Sequence, residues 1–300
     1  MERTESVHTP VLLNEVIALL GPTQGDFIID GTVDGGGHAA AIVERIGPNG
    51  KLLGLDWDER LLERTRARFA GRPNVILLHG NYADIREILR EHDLEKADGL
   101  LVDLGFSTEQ LEAAGRGFSF ADFAKNEPLL MTYDDSMTPV WQILREENEK
   151  TLANIIYEFG DERMSRRIAK AIKDHGRREP IMTAGALADV VRQALPGRYE
   201  HGRIDPATRT FQAFRIYANG ELENLKTLLK DLGDVVKPGG RVAIISFHSA
   251  EDGIVKRAFR SLAKESTIAI ITKKPLEASR KEIAENPRSR SAKIRAARII

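Results

Sequence analysis

The chain contains no cysteine among its 300 residues. Disulfide bonds, thiolate metal sites and thiol nucleophiles are therefore excluded, and the composition fits a reducing compartment. The 7 histidines are scattered without the spacing that metal ligands share, so no metal site is expected.

Long hydrophobic runs are also missing. The amino-terminal segment MERTESVHTP is polar, and no apolar run approaches the length that crosses a bilayer. We therefore expect a cytoplasmic protein without a membrane partner.

Neither sign of charge dominates, because the formal net charge is −1, but the basic residues are clustered. The carboxyl-terminal stretch 273–298 is strongly basic, and a second cluster lies within 163–178. That second cluster consists of Arg163, Arg166, Arg167, Lys170, Lys173, Arg177 and Arg178. Such patches can bind phosphates even on a neutral protein. The alternative is a solvated helix face together with a basic tail.

The first hundred residues alternate between short apolar runs and segments with helical spacing. This alternation predicts an α/β fold with a doubly wound, mostly parallel sheet and right-handed crossovers. The predicted strands are 26–30, 51–58, 74–80 and 97–105.

The alternation stops after Ser107. Residues 108–206 hold no convincing strand, and 151–176 has helical spacing, which predicts a helical insertion between the fourth and fifth strands. The predicted domains are therefore a core part at 1–107, the insertion for substrate recognition at 108–206, and a second core part at 207–300 with a basic tail.

The second core part begins with a helix-start signal, Asp205 followed by Pro206. We predict one helix from Ala207 towards Val236, then a turn at KPGG (237–240) and a strand at 241–248. A further strand is expected at 267–274, and residues 291–300 are expected to supply the last edge strand.

A glycine-rich loop follows the first predicted strand, in DGTVDGGGH (30–38). Glycines let the backbone approach a ligand closely, and Asp56 ends the second strand, where an acid accepts hydrogen bonds from a ribose. This arrangement serves nicotinamide dinucleotides and S-adenosylmethionine. The spacing is not G-x-G-x-x-G, which favours S-adenosylmethionine; the alternative is a glycine turn beside a surface aspartate.

The next two strand ends complete the predicted site. Tyr82 follows the third strand, where it would lie near an adenine. Asp103 ends the fourth strand in DLGFS, where amino-methyltransferases often place an acid or amide before an aromatic residue. Asp103 would then orient an amine, and Phe106 would stack on the base; the alternative for Asp103 is a helix cap.

Longer strings resemble one family, the bacterial small-subunit ribosomal RNA cytidine N4-methyltransferases. The strings ATRTFQA and NPRSRSAK have no generic structural meaning, so the resemblance exceeds a shared fold. The similar segments are HTPVLLNEVI (8–17), GGGH (35–38), LLVDLGFST (100–108), RGFSF (116–120), DPATRTFQAFRI (205–216), SFHSAED (246–252) and NPRSRSAKIRAA (286–297).

The resemblance implies a Rossmann-like methyltransferase core with an inserted helical domain, S-adenosyl-L-methionine as donor, and 16S ribosomal RNA of the small subunit as acceptor. Methylation of an exocyclic amine also suits a chain without cysteine, since methylation of a pyrimidine carbon 5 usually needs one. The implied cofactor contacts are Gly36, Gly37, His38, Asp56, Tyr82, Asp103 and Gln110.

The chain departs from the family in two places. Asp34 stands where the family usually has glycine. In NEPLLMTYD (126–134), Leu130 and Thr132 replace an acid and an arginine. The first departure bears on the loop, and the second on the acceptor or the rate.

The predicted chemistry assigns Asp103 as the main catalytic residue and His248 as a second one. The alternatives are a backbone carbonyl in DLGFS as the acceptor from the amine, and a hydrogen-bonded strand-end histidine at 248. Predicted substrate contacts are Phe106, Ser107, Arg166, Arg167, Arg209 and Ser249. Three alternatives stay open: a methyltransferase acting on another RNA or on DNA cytosine, a non-catalytic ribosome-assembly factor that keeps the fold, and a nicotinamide oxidoreductase.

Overall fold

A computed structural model describes residues 10–105, 115–197, 199 and 205–300. The chain divides into two compact units: Met1–Ser107 with Leu222–Ile300, here called the sheet unit, and Thr108–Glu221, here called the helical unit. Within the described residues, no helix combines the length and apolar character needed to span a bilayer.

The sheet unit is built on eight strands in the order β3-β2-β1-β4-β5-β8-β6, with β7 paired to β8. Strands β1 to β5 are parallel, and β8 runs antiparallel to its three neighbours. Their bounds are β1 Phe27–Asp30, β2 Lys51–Asp56, β3 Val75–His79, β4 Ala97–Asp103, β5 Val236–Ser246, β6 Ile268–Ile270, β7 Leu276–Glu277 and β8 Lys293–Ile299.

The described helices are numbered in chain order. In the sheet unit they are α1 Leu13–Leu20, α2 Gly37–Ile46, α3 Glu59–Arg68, α4 Ile85–Glu91, α10 Glu221–Val235 (whose first residue belongs to the helical unit), α11 Ser249–Lys264 and α12 Arg280–Glu285. In the helical unit they are α5 Val140–Glu146, α6 Glu149–Gly160, α7 Ser165–Gly176, α8 Ala184–Ala194 and α9 Thr208–Ala218.

The central strands are buried on both faces. Five of the six residues of β2 and six of the seven of β4 are buried. Parallel strands covered by helices on both sides read as continuous apolar runs, which is why the sequence shows these strands clearly. The doubly wound, mostly parallel sheet with Rossmann-like order confirms the predicted fold class.

The later strands differ from the prediction in three respects. The strand expected at 267–274 is limited to β6, Ile268–Ile270. Residues 293–299 form β8, which lies between β5 and β6 instead of at an edge. Strand β5 begins at Val236 and includes the KPGG segment, where the pairing with β4 shifts register and Gly239 has φ +87°. A glycine bulge keeps the segment in the sheet, so no separate turn precedes the strand.

The long helix predicted from Ala207 towards Val236 is two helices. Helix α9 ends at Ala218 and α10 begins at Glu221, with Gly220 at φ +60° between them. Asn219 caps this break, because its side-chain amide donates to the carbonyl oxygens of Arg215 and Met131, both at 2.8 Å.

The helical unit extends beyond the predicted boundary at 206. It includes α9 and ends at Glu221, because α9 packs against α6 and its apolar side chains belong to the buried core of the helical unit. At the end of α9, Arg215 forms a buried two-point ion pair with Glu221, with nitrogen–oxygen distances of 2.9 and 3.0 Å. The hydroxyl of Tyr133 donates to the same carboxylate at 3.2 Å.

Candidate functional site

The glycine loop leads from β1 directly into α2. Gly36 is the N-cap of α2 with φ +75°, a left-handed conformation that favours glycine, and a Cβ there would lie 2.8 Å from the ring of Phe69. The Arg68 side chain donates to the Gly35 carbonyl oxygen at 2.8 Å. The loop is therefore held in one shape, with the first N–H groups of α2 available to an anionic group.

Three aspartates lie at the carboxyl ends of neighbouring parallel strands. Asp30 ends β1, Asp56 ends β2 and Asp103 ends β4. Strands β1 and β4 are adjacent, and the chain order reverses between them, which is the place where open α/β sheets bind ligands. All three side chains are buried, with at most 6% of the residue surface exposed.

The three carboxyl groups have raised pKa values, and burial is the main cause. Burial raises the pKa of Asp30 to about 7, against a backbone N–H from Thr32 that lowers it. Burial likewise raises the pKa of Asp56 to about 7 and that of Asp103 to about 7, while backbone N–H groups oppose both shifts. Nearby carboxyl groups add to each shift. A cation that binds at this edge would therefore favour the ionised form of these carboxyl groups.

Asp30 was not among the predicted site residues. Its Oδ1 accepts from the Thr32 N–H at 3.3 Å, and its buried Oδ2 has no hydrogen-bond partner among the described residues. A buried polar atom without a partner points to a ligand or an ordered solvent molecule. The signal was present in the sequence, because Asp30 ends an apolar strand before Gly31 just as Asp56 ends β2.

Asp56 shapes the loop as well as the edge. Its two carboxylate oxygens accept the backbone N–H groups of Asp58 and Asp34, each at 2.8 Å. Each oxygen keeps a second lone pair, so the carboxylate can also accept from a ribose diol. Tyr82, which begins a short 3₁₀ turn after β3, packs its Cβ against the backbone of Gly31, where a Cβ would lie 3.1 Å away.

His38 connects the loop to Asp103. Its Nε2 lies 2.8 Å from the carbonyl oxygen of Val11, and its Nδ1 lies 3.9 Å from Oδ2 of Asp103. Because a carbonyl oxygen only accepts, the hydrogen in the first contact sits on Nε2. The backbone N–H of Asp103 donates to the Thr32 hydroxyl at 2.7 Å, which fixes the end of β4 against the β1 loop.

His248 is the N-cap of α11 and belongs to a capping box. Its Nδ1 accepts from the Glu251 N–H at 3.4 Å, and its Nε2 lies 2.9 Å from Oε1 of Glu251. Oε2 of Glu251 accepts from the Phe247 N–H at 2.8 Å. The capping hydrogen bond of Nδ1 gives His248 a structural task, whereas its buried Nε2 has no hydrogen-bond partner among the described residues. Its catalytic role stays a prediction. Glu251, which is buried and adds to the raised pKa of Asp103, was not predicted.

The other predicted cofactor and substrate contacts near the strand ends divide into two groups. Ser249 is the first residue of α11 and is exposed. Phe106, Ser107 and Gln110 lie outside the described residues, so their predicted roles stay predictions.

The basic cluster of the helical unit has several different tasks. Arg166 and Arg167 are exposed on α7, and neither forms an ion pair with another described residue. Lys173 instead donates to three carbonyl oxygens at the end of α5, those of Leu144, Arg145 and Glu147, at 2.7–3.1 Å. Lys173 is therefore a helix cap, which the spacing on α7 did not reveal.

Arg209 is beside a buried acid. Its Nη1 lies 3.8 Å from Oε2 of Glu162, whose side chain is 1% exposed. Oε1 of the same glutamate accepts the Met164 N–H at 2.7 Å and the Tyr199 hydroxyl at 2.5 Å. Arg209 thus balances a buried charge, and a phosphate contact would have to share its guanidinium group.

The two departures from the family pattern are accommodated locally. Asp34 has φ +45°, the left-handed conformation that a glycine adopts without strain. Thr132 is buried, and its carbonyl oxygen accepts from Nη1 of Arg116 at 3.1 Å. Leu130 is half-buried, and its N–H donates to the Pro128 and Arg116 carbonyl oxygens.

The residues present fit a cofactor that carries positive charge and a ribose. The buried orphan oxygen of Asp30 and the acidic strand ends suit a cation, and the start of α2 suits a carboxylate. Among the described residues, no group of three or more side chains has the arrangement of a metal site.

The sheet order, the glycine loop and the acid-lined strand ends define a Rossmann-like transferase core. The chain belongs to the MraW methylase family, whose model matches residues 5–300. It is similar to the ribosomal RNA small subunit methyltransferase H of Syntrophus aciditrophicus, with 44% identity over 97% of both chains. The protein of the same name from Syntrophotalea carbinolica is 45% identical over 99% of both chains, and that from Deinococcus deserti is 45% identical over 97% of this chain and 93% of the relative.

Proposed function

We propose that this methylase transfers a methyl group from S-adenosyl-L-methionine to the exocyclic N4 amine of a cytidine in 16S ribosomal RNA of the small subunit. Support for the acceptor class comes from the relatives, which are named as small-subunit ribosomal RNA methyltransferases. The observation that carries the donor is the edge of three buried aspartates, one with an orphan oxygen, around a glycine loop.

The charge of the donor matches this edge. S-adenosyl-L-methionine supplies an activated methyl group on a sulfonium and also carries an ammonium, a carboxylate and a ribose. Asp30 and Asp103, at the ends of adjacent strands, would balance positive charge. Asp56 would accept hydrogen bonds from the ribose, and the start of α2 at Gly36, Gly37 and His38 would hold the carboxylate.

The acceptor amine needs orientation more than activation by a strong base. The lone pair of the cytosine amine is delocalised into the ring, so the protein must hold the nitrogen in line for transfer. A carboxylate oxygen of Asp103 accepts a hydrogen bond from the amine in our proposal. The amine loses one proton when its bond to carbon forms, and a carboxylate with a pKa of about 7 can receive it.

The RNA would be held by basic side chains and the target base brought out of its stack. Arg166 and Arg167 on α7 are exposed and suited to phosphates. Phe106, Ser107, Gln110, His248 and Ser249 keep the roles that the sequence predicts for them. Because ribosomes are the proposed site of action, the proposed compartment is the cytoplasm.

The test is methyl transfer from labelled S-adenosyl-L-methionine to small subunits from cells that lack this modification, followed by nucleoside analysis. We expect labelled N4-methylcytidine. A label on another nucleoside, or transfer only to DNA offered in a parallel reaction, would replace the acceptor and point to Leu130 and Thr132 as the cause. Cofactor binding without any transfer would favour a ribosome-assembly factor, and binding of a nicotinamide dinucleotide alone would replace the donor.

A further inference from the structure

The segment Pro10–Leu12 lies across the glycine loop of the sheet unit. A Cβ on Gly37 would lie 3.1 Å from three carbons of the Pro10 ring, so the ring packs directly on the start of α2. The carbonyl oxygen of Val11 accepts from Nε2 of His38 at 2.8 Å. The segment therefore contacts two of the residues proposed to hold the cofactor.

The same segment carries backbone strain. Leu12 has φ +54° and ψ +34°, a left-handed conformation that is unfavourable for leucine, and its side chain is fully buried. Such a conformation persists only where the surroundings fix it. A buried backbone N–H at this residue also needs a hydrogen-bond partner.

That partner comes from the other end of the chain. The Leu12 N–H donates to Oε1 of Glu282 at 2.7 Å, a contact between residues 270 positions apart. Glu282 is the third residue of α12, whose N-cap is Ser279. A glutamate at this position commonly reaches back to its own N-cap, whereas here Oε1 reaches residue 12.

We infer that Glu282 is a positioning residue: by holding the Leu12 N–H, it fixes segment 10–12 across the glycine loop and so orients the His38 ring beside Asp103. A chain of contacts makes this connection, from Glu282 to Leu12, from Val11 to His38, and from His38 Nδ1 to Asp103 Oδ2 at 3.9 Å. The consequence for cofactor binding rests on the proposed function, but the orientation of His38 does not.

The test compares Glu282→Ala with Glu282→Gln, whose amide oxygen can still accept from Leu12. Glu285→Ala is the matched control, because Glu285 lies on the same helix with 67% of its side chain exposed. The first measurement is the ring-nitrogen NMR spectrum of His38 in the ligand-free protein, assigned with a His38→Gln variant. We expect altered His38 signals in Glu282→Ala, near-normal signals in Glu282→Gln, and no change in the control.

The second measurement is the affinity for S-adenosylhomocysteine, the unreactive product. Glu282→Ala should weaken it about tenfold, roughly the effect of losing one hydrogen bond to a charged group, and Glu282→Gln should restore most of it. Unchanged His38 signals in folded Glu282→Ala would overturn the inference. Should that variant not fold, Glu282→Asp, which is one carbon shorter and keeps the charge, replaces it. Unchanged His38 signals in Glu282→Asp would then overturn the inference. If the wild-type protein does not bind the product, the proposed function fails while the His38 spectra still decide this inference.

Discussion

The two units of this protein carry charge in opposite ways. At the edge of the sheet unit, Asp30, Asp56 and Asp103 are buried, and burial raises the pKa of each to about 7. In the helical unit, the side chains of Arg166 and Arg167 are exposed to solvent. Buried groups of one sign are costly without a partner, so the first arrangement indicates a ligand more sharply than the second.

The number of basic residues in a sequence segment does not show which of them have a structural role and which are available to a ligand. The cluster 163–178 contains Lys173, which caps α5, and Lys170, which forms an ion pair with Asp174 on the same helix. A basic cluster therefore mixes structural and available cations. The acids at the strand ends are a more uniform set, because the sheet places each at the same edge.

The largest expected effect tests the acid at the end of β4. Asp103→Ala should abolish methyl transfer, and Asp103→Asn should lower it by about 10²–10³-fold, the size that one preorganised electrostatic contact contributes. Initial rates with saturating cofactor measure this. Glu91→Gln, at an exposed position on α4, is the control. Near-normal rates in Asp103→Ala would remove Asp103 from the mechanism.

The second prediction tests whether the acidic edge binds a cation. Carboxyl groups with a pKa of about 7 are largely neutral at pH 6, and a bound cation favours their ionised form. The affinity for S-adenosylmethionine should therefore rise as the pH rises towards 7. Each proton released on binding contributes up to about tenfold per pH unit, and the affinity should level off above about pH 8. Calorimetry between pH 6 and 8.5 measures this.

Asp30→Asn should flatten part of that pH profile, because it removes one of the titrating groups. An affinity independent of pH in the wild-type protein would contradict a cation at this edge. An unchanged profile in Asp30→Asn would assign the titration to Asp56 or Asp103 instead.

The third prediction tests the exposed cations of the helical unit. Charge reversal at Arg166 and Arg167 should weaken RNA binding and reduce the slope of log affinity against log salt by about 1 per lost phosphate contact. Lys173→Ala is the contrasting variant: it should lower the melting temperature by removing a helix cap and leave the salt slope unchanged. Equal slopes in all three proteins would show that α7 does not contact phosphates.

The features of the fold and site that could be predicted from the sequence are those marked by a pattern of neighbouring residues. Strands β1 to β4 and the acids Asp56 and Asp103 were predictable, because apolar runs that end in a polar residue mark buried parallel strands. The place of β8 between β5 and β6 was not, since antiparallel pairing over a long chain distance leaves no local pattern. The break at Asn219 and Gly220 was readable as a helix stop, yet helical spacing on both sides concealed it.

The fourth prediction uses stability to test burial at Asp30. The pKa of this group is about 7 in the folded protein and 3.8 in the unfolded chain, so the folded state binds the proton more tightly. Its stabilising contribution is complete below pH 3.8 and is lost as the pH rises through about 7. Ligand-free Asp30→Asn should therefore gain stability relative to wild type between pH 6 and 8, on the order of 1 kcal/mol. Parallel pH dependence of urea unfolding in both proteins would place Asp30 in solvent.

The smallest effect distinguishes the backbone strain at Asp34 from the contribution of its carboxylate to stability. The family usually has glycine at this position. With φ +45°, Asp34→Gly relieves a left-handed strain but adds entropy to the unfolded chain, so the two terms nearly cancel. Asp34→Ala keeps the strain and removes the carboxylate, and it should be about 1 kcal/mol less stable than Asp34→Gly. Thermal unfolding at pH 8 measures the difference, expected at about 2–4 °C for a unit of this size. Equal melting temperatures for the two variants would mean that the loop relaxes at Asp34, in which case its shape is fixed by its other contacts, such as those of Gly36 and Arg68.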